Sequence, residues 1–132
     1  MKKIFKLLPL LLVTPLTACH PGISVLRQNF YCAYRSEQYG DSSIYAQYSK
    51  ATGTVTYKFT VTNTYQQTLF GDLKFTGGSM NLTLIMGGEE FYTADISENM
   101  DFERPLPEYG KLTVRLILDN FSGSYIFSWI KK

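Results

Sequence analysis

The alternation of residue types between Thr54 and Thr62 constrains the fold of this chain more than any other feature. Every second residue in this run is apolar or aromatic, and the residues between them are threonine or lysine. A period of two places Val55, Tyr57 and Phe59 on one face of an extended strand and the polar side chains on the other face. β-Branched and aromatic side chains also fit strands better than helices. The run therefore predicts a strand with one buried face.

Glycine-rich and polar segments separate this run from its neighbours and predict turns. Gly77-Gly78 and Gly87-Gly88 predict two-residue hairpins, because both central positions of such turns take positive φ. Ala51–Gly53 and Asp119–Gly123 are predicted to be loops, and Gly71 is predicted to mark a bulge. The strands are then predicted at residues 44–48, 54–62, 69–76, 80–86, 90–94, 111–118 and 124–130.

The number and spacing of these strands indicate the fold class. Six or seven short strands, with turns roughly every 8–14 residues, predict an all-β protein with a small antiparallel β-sandwich or jelly-roll-like fold and meander hairpins. Residues 63–66 are predicted to form a further turn. Residues 95–108 are acidic and contain two prolines, which predicts a long surface loop or crossover. Residues 25–39 fit either a helical face or a strand.

The apolar residues that share the buried phase are predicted to form the core. They are Val55, Tyr57, Phe59, Val61, Leu73, Phe75, Met80, Leu82, Leu84, Leu112, Val114, Leu116, Leu118, Tyr125, Phe127 and Trp129. At roughly 1.5–3 kcal/mol for each fully buried large side chain, this core is sufficient without a disulfide. The aromatic stripe from Tyr125 to Trp129 fits packing between sheets, which we favour, or a platform on which sugars stack.

The N-terminal segment predicts export from the cytoplasm. Lysines near the start precede an apolar run that is too short to span a bilayer of about 30 Å as a helix, and small residues lead into Cys19. Residues 16–19, Leu-Thr-Ala-Cys, resemble a bacterial lipobox. The resemblance implies that Cys19 is acylated and becomes the first residue of the mature chain. The other interpretation is an ordinary signal cleaved nearby, with Cys19 a plain thiol.

The resemblance to a lipoprotein also implies a domain organisation and an address. Residues 1–18 are the cleaved signal, residues 19–24 are a tether, and residues 25–132 form a single domain. Two or more acyl chains hold a protein stably on a membrane, so the membrane is an expected partner through the N-terminal lipid. Since His20 is not the aspartate associated with inner-membrane retention, the resemblance implies the outer membrane, or the outer face of the plasma membrane in a host with one membrane.

Removal of the signal changes the charge balance and excludes several functions. The 13 basic residues become 10 after the loss of Lys2, Lys3 and Lys6, against 11 acidic residues, so the net charge falls from +2 to −1. The mature chain has no basic block other than its last two residues, which excludes nucleic acid as a partner. One histidine beside the anchor and one other cysteine, Cys32, provide neither a metal cluster nor a nucleophile–base pair. We therefore expect no cofactor and no enzymatic activity. Cys32 is then a free thiol, an intermolecular link or a buried apolar residue, and we favour the last of these.

Four isoleucines occupy the strand phase that should face water. They are Ile85, Ile117, Ile126 and Ile130. If their strands are neighbours, these side chains form an apolar patch, and such patches mark contacts with other molecules. The alternative is that residues 25–39 cover the patch.

Acidic residues are concentrated between residues 95 and 103. Asp95, Glu98 and Asp101 are weak candidates for metal ligands, and their spacing matches no EF-hand loop. Together with Glu103 they also raise the possibility of paired carboxylates for glycoside hydrolysis, which requires two groups held across a cleft. A solvated acidic segment is the interpretation we favour.

The C-terminal part of the chain carries a second resemblance. Residues 107–115, followed by residues 122–127, are similar to the closing hairpin of pre-peptidase C-terminal-type β-sandwich domains. The similarity covers about the last 26 residues. It implies an accessory, non-catalytic module of a secreted protein.

These observations lead to one preferred function and two alternatives. The preferred function is a membrane-anchored envelope lipoprotein that acts as a non-catalytic binding or structural module, with an envelope protein or a glycan as partner. The first alternative is an envelope inhibitor or assembly factor that binds a protein through the isoleucines or residues 95–108. The second is a carbohydrate-active or other small hydrolase.

Overall fold

The computed structural model describes residues 22–61, 68–107 and 110–130, and these form seven strands. The strands are β1 (Ile23–Tyr31), β2 (Tyr34–Tyr39), β3 (Ser43–Val61), β4 (Thr68–Met86), β5 (Glu89–Ile96), β6 (Met100–Pro105) and β7 (Gly110–Ile130). Every strand pair is antiparallel. The all-β antiparallel prediction is confirmed. No helix in this described part is long and apolar enough to cross a membrane.

Three long strands form the centre of the sheet, in the order β3, β7, β4. β3 pairs with β7 along almost its whole length, from Ser43 opposite Ser128 to Val61 opposite Gly110. The shorter strands cover the two edges of this ribbon. β1 and β2 pair with the two halves of β3, and β5 and β6 pair with the two halves of β4.

Each long strand bends near its middle, where the pairing register shifts. The bends require glycine at Gly78 and Gly123, which have φ of 76° and 148°. A Cβ atom on Gly123 would lie 2.0 Å from the carbonyl oxygen of Lys74, and one on Gly78 would lie 2.1 Å from that of Asn120. Only a residue without a side chain allows the backbones to approach so closely.

The bends fold the ribbon onto itself and produce two packed layers. Tyr125 pairs with Ala46, eleven residues from Tyr57 along β3. In a straight strand that separation would be roughly 36 Å at 3.3 Å per residue. The hydroxyls of Tyr57 and Tyr125 are nevertheless 2.6 Å apart. The fold is therefore a sandwich, as predicted.

Each layer has five strands, and the long strands contribute one half to each. The first layer contains β2, β6 and residues 43–49, 68–75 and 123–130 of the long strands. The second layer contains β1, β5 and residues 52–61, 77–86 and 110–119. We call the end with the three bends the bent end. The opposite end, where the long strands begin and finish, is the open end.

The core lies between the layers and matches the predicted set. All of the predicted residues are buried except Phe75, which is partly buried. The rings of Phe59 and Trp129 stack across the layers at 3.7 Å between centroids. Tyr125 and Phe127 have no exposed surface. The aromatic stripe is therefore core, and its interpretation as a sugar-stacking platform is wrong. The structure adds Ile44, Ala46, Tyr48, Leu69 and Phe121 to the core, among others.

Several predicted turns are bends within continuous strands. Ala51–Gly53, Gly77-Gly78 and Asp119–Gly123 lie inside β3, β4 and β7, so the predicted loops and the first hairpin are wrong. The hairpin expected from residues 107–127 is likewise one bent strand over the residues that are described. The Gly87-Gly88 turn is confirmed, with φ of 64° and 80°.

Other differences concern individual segments. The register continues without a shift through Gly71, so the predicted bulge is wrong; the glycine instead makes room for the ring of Phe102, which a Cβ atom would approach to 2.2 Å. The ambiguous residues 25–39 form β1 and β2, joined at Cys32 and Ala33, and the predicted loop at residues 95–108 contains β6. β1 begins at Ile23, so the predicted tether at residues 19–24 extends two residues too far. The predicted turn at residues 63–66, the signal and Cys19 lie outside the described residues.

Candidate functional site

An ion pair joins the two layers at the edge formed by β1 and β2. Arg27 lies opposite the buried Val55, and Glu37 lies opposite the buried Ala46, so both charged side chains point between the layers. The Arg27 guanidinium donates to the Glu37 carboxylate. Inward-pointing charges on edge strands discourage pairing with other chains. The pair therefore closes this edge and protects it.

The ion pair continues into a chain of tyrosine hydroxyls that reaches the middle of the core. Tyr48 donates to Glu37, the Tyr57 and Tyr125 hydroxyls are hydrogen-bonded to each other, and the ring of Tyr48 lies beside that of Tyr125 at 6.1 Å between centroids. Burial, followed by the hydrogen bond to Glu37, raises the pKa of Tyr48 to about 12. Burial also raises the pKa values of Tyr57 and Tyr125 well above their ordinary value.

This tyrosine network ties the layers together and does not contact a ligand. Tyr57 and Tyr125 have no exposed surface, and their raised pKa values keep both hydroxyls protonated at neutral pH. A buried polar network of this kind stabilises one particular packing of a core when all its members are paired. This network could not be predicted from sequence patterns, because Arg27 and Glu37 meet only when β1 and β2 pair with the same edge of β3.

Aromatic and cationic side chains close the opposite edge. The rings of Tyr92 and Phe102 stack at 6.1 Å between centroids, and the Arg104 guanidinium lies 4.2 Å from the Tyr92 ring centroid. These residues join β5 of the second layer to β6 of the first. Both edges of the sandwich are thus covered by side chains, which leaves the two outer faces as the broad surfaces for binding.

The predicted isoleucine patch is divided between the outer faces. Ile126 lies on the outer face of the first layer and is 41% exposed, whereas Ile117 lies on that of the second layer and is 46% exposed. Ile85 is partly buried and belongs to the second layer. Ile130 ends β7 in the first layer, and its side chain is outside the described part. Since β1 and β2 pair with the edge of β3, the interpretation that residues 25–39 cover these isoleucines is wrong.

The acidic candidates are also separated. Asp95 accepts a hydrogen bond from Asn81 at 2.8 Å on the outer face of the second layer. Asp101 pairs with Asp72 on the outer face of the first layer. Glu98 lines a shallow cavity at the bent end. Among the described residues, no group of three or more His, Cys, Asp or Glu side chains is placed to hold a metal ion. The cysteine that was predicted to be buried, Cys32, is half-buried and free.

The outer face of the first layer combines apolar and polar side chains in one row across all five strands. The row runs through Gln38, Tyr45, Ile126, Asp72 and Asp101, each paired with the next on a neighbouring strand. Ile126 is exposed although its neighbours in sequence are fully buried. The row therefore places an aromatic ring and an aliphatic side chain between an amide and two carboxyl groups.

The neighbouring row widens this surface. It contains Ser43, Ser128, Phe70 and Glu103, and Phe70 is only partly buried. Partly exposed aromatic rings bordered by polar groups are what a ligand with both apolar and hydroxyl-bearing faces requires. We call this surface, with Tyr45, Phe70 and Ile126 at its centre, the first-layer outer face.

The carboxyl groups at the margin of this face influence each other. The Asp72 carboxylate accepts a hydrogen bond from the protonated form of Asp101, and this bond, together with the negative charge of Asp72, raises the pKa of Asp101 above its ordinary value. Lys74 is 3.4 Å from Asp72 and offsets part of this charge. The two carboxyl groups lie on adjacent strands of one outer face, whereas glycoside hydrolysis uses two carboxyl groups held across a cleft. Their arrangement suits hydrogen bonding to a ligand.

On the outer face of the second layer, several polar side chains are paired with one another. Thr83 donates to Asn81 at 3.0 Å and shares a hydrogen bond with Thr93 at 3.1 Å. Arg115 is 3.2 Å from Glu90. The first-layer outer face combines two partly exposed aromatic rings, Tyr45 and Phe70, with the exposed Ile126 in adjacent rows, and we therefore take it as the candidate site.

Comparisons with known proteins give only distant similarities. No family model and no curated protein matches the chain. Among solved structures, one described as "CBM4 structure and function" has a TM-score of 0.45 and 8% identity over 80% of this chain and 82% of that chain. A complex of TmCBM61 with beta-1,4-galactotriose has a TM-score of 0.43 and 12% identity over 85% and 90% of the two chains. A mutant of CBM29-2, a family 29 carbohydrate-binding module, has a TM-score of 0.44 and 11% identity over 86% and 82%. Similarity at this level does not indicate which ligand this chain binds.

Proposed function

We propose that this chain is a lipid-anchored envelope lipoprotein whose sandwich is a non-catalytic binding module for a glycan. The membrane address comes from the lipobox-like residues 16–19 and the acylation of Cys19 that they imply. The binding site is the first-layer outer face. Its centre stacks against the apolar face of a sugar ring, and the amide and carboxyl groups around it accept and donate hydrogen bonds to sugar hydroxyls.

The observation that carries this proposal is the exposure of Ile126 beside Tyr45. Both residues lie on the central strands of the first layer, where the paired backbone is rigid, and Ile126 stays 41% exposed between two fully buried neighbours. The Tyr45 hydroxyl donates to Gln47 at 3.1 Å, which fixes the ring on the surface. A pre-positioned ring loses little conformational entropy when a ligand binds.

β7 offers a matched pair of substitutions for testing this site. Ile126→Ser removes an exposed isoleucine from the first-layer outer face, and Ile117→Ser removes one of similar exposure, 46%, from the opposite face. The full chain, purified from membranes in detergent, is applied to an array of bacterial envelope and plant glycans. We expect Ile126→Ser and Tyr45→Ala to raise Kd about two- to tenfold, from the loss of roughly 0.5–1.5 kcal/mol of contact. Ile117→Ser is expected to leave Kd unchanged.

Two results would contradict the proposal. One is a bound glycan whose affinity falls equally with Ile117→Ser and Ile126→Ser, since that would place binding elsewhere. The other is an array on which the folded, unmodified chain retains no glycan. Intact-mass measurement of the same preparation tests the membrane address separately, because an unmodified Cys19 would remove the lipid anchor.

A further inference from the structure

The open end of the sandwich is where the chain leaves the proposed anchor. β1 begins at Ile23, which pairs with Phe59 only two residues before the end of β3 at Val61. Phe59 stacks on Trp129, near the end of β7, so the ends of both layers lie side by side. The residue that precedes β1 is therefore at the open end, and the three bends are at the other.

The distance from Cys19 to the sandwich is limited by covalent geometry. Four residue steps separate Cys19 from Ile23. A fully extended chain spans at most about 3.6 Å per residue, so the two Cα atoms are at most about 14 Å apart. The eight residue steps from Gly53 to Val61 in β3 extend roughly 26 Å at 3.3 Å per residue. The tether is thus about half as long as the layer it holds.

We propose that the open end of the sandwich rests against the phosphate headgroups of the bilayer and that the bent end is directed away from it. The inference depends on the acylation of Cys19, which is part of the proposed function. Because the tether is shorter than the layers, the domain cannot invert and bring the bent end to the membrane. The first-layer outer face is then roughly perpendicular to the membrane plane, and a ligand reaches it from the side.

Charged residues near the start of β1 suit this contact. Lys58 pairs with Ser24, one residue into β1, and Lys111 pairs with Thr60 on the same outer face. Both lysines are exposed. Glu90, across the same face, is paired with Arg115 at 3.2 Å, which compensates its charge. Two exposed ammonium groups beside the tether match the charge of lipid phosphates.

A pair of labelled positions on one face tests the orientation. In a Cys32→Ser background, Thr60→Cys marks the open end and Asp119→Cys marks the bent end of the same outer face; both positions are exposed. The full lipidated chain carries an environment-sensitive fluorophore at one position and is reconstituted in phosphatidylethanolamine–phosphatidylglycerol vesicles with a nitroxide on the headgroup. We expect several-fold stronger quenching at position 60 than at position 119. Added salt or the change of Lys58 and Lys111 to Glu should reduce the quenching at position 60.

The outcomes separate this inference from the proposed function. Equal quenching at the two positions, or stronger quenching at position 119, overturns the orientation, while glycan binding and flotation with the vesicles remain intact. A labelled chain that does not float with the vesicles shows that the anchor is missing and removes both the anchor and the orientation. If quenching is stronger at position 60 but no glycan binds, the orientation is supported and only the proposal of a glycan ligand is contradicted.

Discussion

The hydrogen bond between Tyr57 and Tyr125 makes a sharp prediction about the core. Both side chains are fully buried, and their hydroxyl oxygens are 2.6 Å apart. Tyr125→Phe leaves the Tyr57 hydroxyl buried without its partner, which should cost about 1–3 kcal/mol. Tyr57→Phe likewise leaves the Tyr125 hydroxyl buried without this partner, so it should lower the free energy of unfolding by a similar amount, about 1–3 kcal/mol.

The two substitutions should not be additive. In the Tyr125→Phe background, the further change Tyr57→Phe removes the unpaired hydroxyl and should restore stability, while Tyr48 keeps its bond to Glu37. The expected coupling free energy is about 1–2 kcal/mol. Urea unfolding followed by circular dichroism measures it, with each kcal/mol also moving Tm by roughly 4–8 °C.

A surface tyrosine provides the control for this cycle. Tyr45→Phe removes a hydroxyl whose partner, Gln47, is exposed, so the free energy of unfolding should change by no more than about 0.5 kcal/mol. If Tyr57→Phe costs the same in both backgrounds, the two hydroxyls do not depend on each other. The account of a paired polar network joining the layers would then be refuted.

Two further predictions concern the bends and the pH dependence of stability. Gly123→Ala should lower the free energy of unfolding by more than about 3 kcal/mol or prevent folding, because the new Cβ atom would lie 2.0 Å from the Lys74 carbonyl oxygen. Gly88→Ala, whose Cβ atom would have open space, should lower it less in the same unfolding assay. The pKa of Tyr48 is about 12 in the folded state, against an ordinary value of 10.0, so the folded state binds this proton more tightly than the unfolded chain. The contribution of this proton to the free energy of unfolding should therefore be fully present below pH 10 and decrease as the pH rises towards 12. The decrease should be at most about 1.4 kcal/mol per pH unit for each such tyrosine. Thermal unfolding from pH 8 to 12 checks this, and a Tm that does not fall above pH 10 would contradict it.

The sequence predicted the fold class and most of the core because both depend on local alternation. The buried phase of residues 54–62 and 111–118 can be read without knowing which strands pair. The Gly87-Gly88 turn was found for the same reason, since two adjacent glycines with positive φ suffice for it. These features need no information about distant parts of the chain.

The bends and the candidate site could not be predicted in this way. A glycine with positive φ is compatible with either a hairpin turn or a bent strand. Gly78 lies in a bend because β4 pairs with β7 both before and after it. Ile117 and Ile126 both occupy strand positions that face solvent, but the bend between them places them on opposite outer faces. Tyr45 and Asp72 become neighbours of Ile126 through β3 and β4, which are distant from β7 in sequence.

The continuity of the three long strands has a consequence for how the protein comes apart. Each of them contributes residues to both layers, so the first and second layers are joined by the peptide backbone as well as by side-chain contacts. A sandwich assembled from separate strands can lose one sheet and keep the other. Here, the two layers are joined covalently by three strands, so we expect them to unfold together in one cooperative transition.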